Sequence, residues 1–240
     1  MNEKLIVALD VATRAEAVTL VEKLAGVVSF FKVGSQLFTS EGPGLVRDIL
    51  SQNVRIFLDL KFHDIPNTVA ESVIAATRLG VTMLNVHASG GSVMMAEANR
   101  RLTAAVEAEQ LALPMVIAVT VLTSSDQSTM DELGIAQTPA GQVVRLAKLT
   151  QESGLHGVVA SPKEITLIRE AIPDPTFHIV TPGVRPVWAA ANDQKRVMTP
   201  GEAIRAGASY LVVGRPITAH PDPAEAATRV IEEMISVCSQ

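Results

Sequence analysis

The densest run of chemically capable side chains in this 240-residue chain is Asp59-Leu60-Lys61-Phe62-His63-Asp64. Side chains alternate along a strand, so Asp59 and Lys61 share one face while Leu58 and Leu60 take the other. Asp64 falls beyond the strand, ahead of Ile65-Pro66-Asn67-Thr68, which reads as a turn entering a helix. With Lys32 from a neighbouring strand, two ammoniums and two carboxylates can alternate around one site. Each buried charge then has an opposite neighbour, the condition under which ionised groups persist away from water. Such a cluster serves either a reaction in which charge develops or a structural ion-pair network at the strand ends.

A second cluster is suited to an anion. In Val213-Gly214-Arg215-Pro216 the glycine permits close backbone approach and the arginine supplies a forked donor. This reads as a phosphate site or as a tight turn with a solvated arginine. Arg185 and Gln194 favour the phosphate, because both lie in the long aperiodic segment 181–199, which has the character of a lid. Ser89-Gly90-Gly91 is a weaker anion candidate. The five histidines (His63, His87, His156, His178 and His220) show no metal-ligand spacing, so no metal is expected. His87 reads as a strand-end hydrogen-bonder, Trp188 as loop packing or ligand stacking, and Met94-Met95 as helix core.

Strands and helices must place these groups. Short apolar runs at 5–9, 30–33, 56–60, 83–86, 115–119, 157–159, 178–180 and 210–213 read as strands buried on both faces. Amphipathic stretches separate them. Thr13-x-x-Glu16 is a capping box, Ser161-Pro162 reads as a helix cap and first turn, and 224–236 forms a final helix. Eight βα units of about 30 residues fit a closed (β/α)8 TIM barrel. An open doubly wound sheet shares the alternation, and the count of eight favours the barrel. No linker divides the chain, so 1–240 reads as a single domain. In a barrel the chemistry sits at the C-terminal strand ends, where Asp10, Lys32, Asp59, Lys61, Thr123, Arg185 and Arg215 all fall.

Composition narrows the function. With 48% hydrophobic residues against 19% charged, the chain can fill a sizeable core and is not disordered. A net charge of −5 argues against a nucleic-acid partner. Cys238 is the single cysteine, which leaves neither a disulfide nor a cysteine-based zinc site. Five apolar residues near the N-terminus are too few for a signal peptide, and the longest apolar run, 111–122, is too short to span a bilayer. A cytoplasmic protein without membrane contact is expected.

Together the motifs resemble those of the orotidine 5′-phosphate decarboxylase family, bacterial type, over essentially the whole chain. The resemblance rests on Leu9-Asp10, Phe31-Lys32-Val33-Gly34, the ten residues from Asp59 to Thr68, Asn85-Val86-His87-Ala88-Ser89-Gly90-Gly91, Val119-Thr120-Val121-Leu122-Thr123-Ser124, Thr181-Pro182-Gly183-Val184-Arg185-Pro186 and Gly214-Arg215-Pro216. It implies a cofactor-free homodimeric barrel that converts a small-molecule nucleotide, orotidine 5′-phosphate, to UMP and CO2 in de novo pyrimidine synthesis. By that resemblance Lys61 donates a proton to C6 of the pyrimidine and Asp59 lies beside the departing carboxylate. Lys32 and Asp10 hold the ribose and orient the charges, while Asp64 and Thr68 reach into the partner subunit's site. Thr123 contacts the pyrimidine, Gln194 bridges base and phosphate, and Arg185, Arg215 and the Gly214 backbone bind phosphate. A Mg²⁺-dependent sugar-phosphate barrel shares Asp-x-Lys-x-x-Asp, but the Ile65-Pro66-Asn67-Thr68 continuation and the Thr123/Gln194 pair fit a pyrimidine nucleotide better. A silent nucleotide binder would be more credible if one of the network charges were missing.

Overall fold

Eight apolar segments become strands: β1 (Leu5–Ala8), β2 (Phe30–Gly34), β3 (Arg55–Phe62), β4 (Met83–His87), β5 (Met115–Val119), β6 (Gly157–Val159), β7 (His178–Pro182) and β8 (Tyr210–Val213). In the computed structural model, which describes residues 1–189 and 198–236, each strand pairs in parallel with the next and β8 returns to β1. The fold is therefore a closed (β/α)8 barrel, and the open-sheet alternative is excluded. β2, β3, β4 and β7 run further than their apolar patterns. Ladder pairing continues through polar residues at the strand ends, where hydrophobic periodicity gives no signal.

Strand alternation sorts the core into two layers. Ile6, Ala8, Phe30, Phe57, Met83, Ile117, Val180 and Val212 fill the barrel interior. Leu5, Val7, Phe31, Val33, Ile56 and Leu58 point outward and pack against the helix ring. Those helices are α1 (Arg14–Lys23), α2 (Ser35–Leu50, broken at Gly42), α3 (Pro66–Thr77), α4 (Gly91–Glu109), α5 (Gln127–Glu132), α6 (Pro139–Glu152), α7 (Ile165–Ala171), α8 (Pro200–Ala206), α9 (Arg215–Thr218) and α10 (Pro223–Ser236).

The Thr13 capping box forms, with Glu16 N–H donating to Thr13 Oγ1 and Thr13 N–H to Glu16 Oε2. Ser161 departs from the expected cap. It precedes a 3₁₀ turn, Pro162–Glu164, and its hydroxyl donates to the Glu164 carboxylate instead of capping a backbone N–H. Among the described residues, no helix is long and apolar enough to cross a membrane.

Candidate active site

The inward rows of the barrel carry the site. Ile6 and Ala8 lead to Asp10, Phe30 leads to Lys32, and Phe57 leads to Asp59, each two residues further along. The apolar members form a floor, and the charged members stand on it at the C-terminal mouth. Lys32 Nζ donates to Asp10 Oδ1 at 3.0 Å and lies 3.5 Å from Asp59 Oδ2. Lys61 Nζ donates to Asp59 Oδ1 at 2.6 Å. The four charges thus run Asp10–Lys32–Asp59–Lys61 in alternating sign. Exposure rises from the middle of the chain outward, from 11% for the Lys32 side chain and 13% for Asp59 to 35% for Lys61 and 58% for Asp10. Burial alone would push the Asp59 carboxyl up. The Lys32 and Lys61 ammoniums, with hydrogen bonds from Lys61 and Asn85, outweigh that and hold it below the usual carboxylate range.

Two backbone features make the arrangement possible. A Cβ at Gly34 would stand 3.0 Å from Lys32 Nζ, so the glycine leaves room for that ammonium to reach Asp10. Lys61 has φ +54°, the left-handed region that costs a non-glycine residue roughly 1–3 kcal/mol. The β3–β4 register shifts between Leu58 and Phe62 at the same place. Asp59 and Lys61 therefore share a side across a bulge, not through simple alternation. Asn85 on β4 braces the bulge. Its Oδ1 accepts from Lys61 N–H at 2.8 Å, and its Nδ2 donates to Asp59 Oδ1 at 2.7 Å.

Beside this network the His63 and His87 rings lie 5.5 Å apart. Burial, followed by the charges of His63 and Lys61, lowers the His87 pKa against a smaller opposing effect of Asp59. Its Nδ1 is buried without a partner among the described residues.

The end expected to take an anion adjoins the charged row. Asp10 and Lys32 line a cavity of about 530 Å³ together with Gly183, Arg185, Gly214 and Arg215. Arg185 N–H donates to Met198 O at 3.1 Å and ties together the two ends of the segment that contains Gln194. Gln194 itself lies outside the described residues, as does Cys238. Thr123 is exposed and lines a neighbouring cavity of about 910 Å³, which meets the first at Gly183. A third pocket, about 230 Å³, sits over Asp10, Lys32, Asp59 and Lys61. The mouth is thus a set of adjoining spaces with cations at one end and the lysine–aspartate row beside them.

Asp64 does not join the row within one chain, contrary to the four-charge grouping expected from the sequence. Asp10 occupies the fourth place, because β1 pairs directly with β2, with Ala8 opposite Lys32, and so carries Asp10 to the Lys32 ammonium. Asp64 is exposed and its Oδ1 accepts from the Ile65 N–H at 2.6 Å. Thr68, one turn into α3, is exposed as well. The sequence places Asn85 and Gly34 within motifs but gives neither a separate part. Asn85 did carry a signal, being a polar residue inside an apolar strand and on the face of Met83. Among the described residues, no group of three or more His, Cys, Asp and Glu side chains is arranged to hold a metal ion.

Comparison with known proteins agrees along the length of the chain. The profile of the orotidine 5′-phosphate decarboxylase / HUMPS family matches residues 3–230. The orotidine 5′-phosphate decarboxylase of Syntrophotalea carbinolica is 52% identical over 239 residues, covering 100% of this chain and 98% of that protein. The Moorella thermoacetica enzyme of the same name is 54% identical over 238 residues, covering 97% of this chain and 92% of its own. Among solved structures, the orotidine 5′-phosphate decarboxylase of Lactobacillus acidophilus superposes with a TM-score of 0.85 at 40% identity, over 97% of this chain and 99% of that one. A matching profile and half-identical relatives aligned over nine-tenths or more of their own length leave one assignment: the chain belongs to the orotidine 5′-phosphate decarboxylase / HUMPS family.

Proposed function

We propose that this chain decarboxylates orotidine 5′-phosphate to UMP and CO2 in pyrimidine nucleotide synthesis, as a cytoplasmic homodimer that needs no cofactor. The observation that carries the reading is the Lys61 ammonium, fixed 2.6 Å from Asp59 in a row of alternating charges that adjoins an arginine-lined cavity. Half-identical relatives that bear this enzyme's name support it.

The chemistry explains why such a row is useful. When the C6 carboxylate leaves as CO2, its bonding pair stays on C6 in an sp² orbital in the ring plane, where the π system cannot delocalise it. Stabilisation then comes from a cation already in place where the charge develops. At an effective dielectric of about 20, two unit charges ~4 Å apart attract by about 4 kcal/mol. Lys61 supplies that charge and then transfers an Nζ proton to C6, giving UMP and a neutral amine that solvent reprotonates. Asp59 anchors Lys61 beside the departing carboxylate. Lys32 and Asp10 hold the ribose. Thr123 contacts the pyrimidine and Gln194 bridges base and phosphate. Arg185, Arg215 and the Gly214 backbone take the phosphate, and this remote binding energy fixes the ring over Lys61.

Asp64 and Thr68 act in the partner subunit's site. Their exposure near the mouth supports this, as does the neighbouring Ile65, an apolar side chain 66% exposed. The test is an ultraviolet assay of orotidine 5′-phosphate with and without EDTA. Turnover that persists in EDTA is expected. Loss of turnover in chelator would favour the Mg²⁺-dependent sugar-phosphate chemistry, and no turnover in either would refute the substrate.

A further inference from the structure

We infer that Asn85 is the positioning residue of the charged row. One side-chain amide holds the Lys61 backbone in its left-handed turn and decides which oxygen of Asp59 faces which lysine. Its chemical consequence rests on the decarboxylase reading above; its structural consequence does not.

Asn85 lies on β4 two residues beyond Met83, on the face turned into the barrel, and is fully buried. A buried amide needs partners for a carbonyl acceptor and an NH2 donor, and an unsatisfied one is costly. Here both are met by the site. The backbone N–H of Lys61 can only donate, so it must face Oδ1, and an ionised Asp59 can only accept, so it must face Nδ2. The orientation of the amide is thereby forced.

Its location matters as much as its bonds. From Leu58 to Phe62, β3 takes four steps while β4 takes two, from Leu84 to Val86, and Asn85 is the β4 residue opposite the surplus. Its carbonyl oxygen stands in for a ladder acceptor that the bulge removes. Two effects follow. The stem of Lys61 is fixed at its backbone nitrogen. The Asp59 carboxylate, with Oδ1 shared between Lys61 Nζ and Asn85 Nδ2, turns Oδ2 towards Lys32. Without the amide the carboxylate is free to rotate and the Lys61 backbone to relax towards negative φ. Neither leucine nor an ionised aspartate can supply both a donor and an acceptor at this point.

Charged or titratable groups around Asn85 are Asp59 and Lys61 on β3, Lys32 on β2 beyond Asp59, and His87 on its own strand. The experiment compares Asn85→Ala, Asn85→Asp and the wild-type chain on orotidine 5′-phosphate across pH, with a crystal structure of Asn85→Ala. For Asn85→Ala, kcat falls about 100-fold while KM stays within about threefold, since the phosphate end is untouched. For Asn85→Asp, kcat declines as pH rises, with a limb absent from the wild type. Only the protonated acid can donate to Asp59 while accepting from Lys61, and two adjacent carboxyls raise the pKa of one. In the Asn85→Ala crystal, Lys61 leaves the left-handed region or its ammonium separates from Asp59.

Wild-type kcat in Asn85→Ala overturns the inference, as does a loss carried by KM alone or a wild-type pH profile in Asn85→Asp. If Asn85→Ala does not fold, the Asn85→Asp profile decides. A wild-type chain inactive on this nucleotide refutes the function instead; an unmoved Lys61 in the variant crystal would then still overturn the role of Asn85.

Discussion

Lys61 is held by three attachments: its strand, the Asn85 carbonyl on its backbone nitrogen, and Asp59 on its ammonium. A cation so fixed needs no reorganisation when charge develops beside it. Lys61→Ala is therefore expected to lower turnover by about 10³-fold or more, the rate equivalent of about 4 kcal/mol. UMP affinity, measured by titration calorimetry, should change little, because the phosphate end is intact. Retained turnover would refute the proton-donor role. Gly34 offers a second test at this scale. Its φ of −92° suits alanine, so the substitution acts through the methyl group placed 3.0 Å from the Lys32 ammonium. Gly34→Ala should reduce kcat/KM about tenfold with a nearly unchanged melting temperature. Unaltered kinetics would mean that Lys32 can move without consequence.

At the scale of elements, the strands divide the work between floor and mouth. Phe30 and Phe57 form an apolar layer directly beneath Lys32 and Asp59, and a dry floor strengthens every charge interaction above it. The opposite end of the barrel has its own titrating group. His178 opens β7 and packs 5.7 Å from Tyr210 on β8. Burial first, then the charges of His156 and Arg169, lowers its pKa. His178 is thus neutral in the fold at pH values where the unfolded chain, with a pKa of about 6.5, is already protonated. The fold is fully favoured above pH ~6.5 and loses stability as pH falls from there through the depressed folded value. His87 on β4 adds a loss of the same sign. Asp59, also depressed, stabilises the fold above its unfolded value of about 3.9 and loses that contribution only as pH falls below it, outside this window. Urea denaturation should therefore show stability declining between pH 6.5 and 5, and His178→Gln should flatten part of that slope. An identical slope in the variant would exclude His178 as a source.

The whole molecule joins distant chain segments at one rim. Closure of β8 on β1 sets Gly214 against Asp10: a Cβ at Gly214 would lie 3.4 Å from Asp10 Oδ2. The proposed phosphate end at Gly214 and the start of the charged row at Asp10 are in this way neighbours, although about two hundred residues separate them in sequence. The exposed Asp64 and Thr68 bring the assembly into the same question. If Asp64 serves the partner's site, mixing inactive Lys61→Ala and Asp64→Ala chains restores one intact site in each hybrid dimer. Random exchange would then return about a quarter of wild-type activity. No recovery despite subunit exchange, verified by native mass spectrometry, would count against action across the interface.

Much of this was legible in local patterns. Eight apolar runs with amphipathic stretches between them, and the placing of Asp59, Lys61, Lys32 and Arg215 at strand ends, follow from periodicities of a few residues, which any stretch of sequence displays; the count of eight favoured a barrel, and the pairing of β8 with β1 decided it. Only the tertiary structure decided that Asp10 and not Asp64 completes the row in one chain, that Lys61 turns through φ +54°, and that Asn85 braces it. These depend on contacts between residues 22 to 26 positions apart, such as Asp10 with Lys32 and Asn85 with Asp59. A bulge also breaks the two-residue period on which strand reading depends. Sequence records which side chains each strand carries to the mouth; their partners there are set by the register and closure of the sheet.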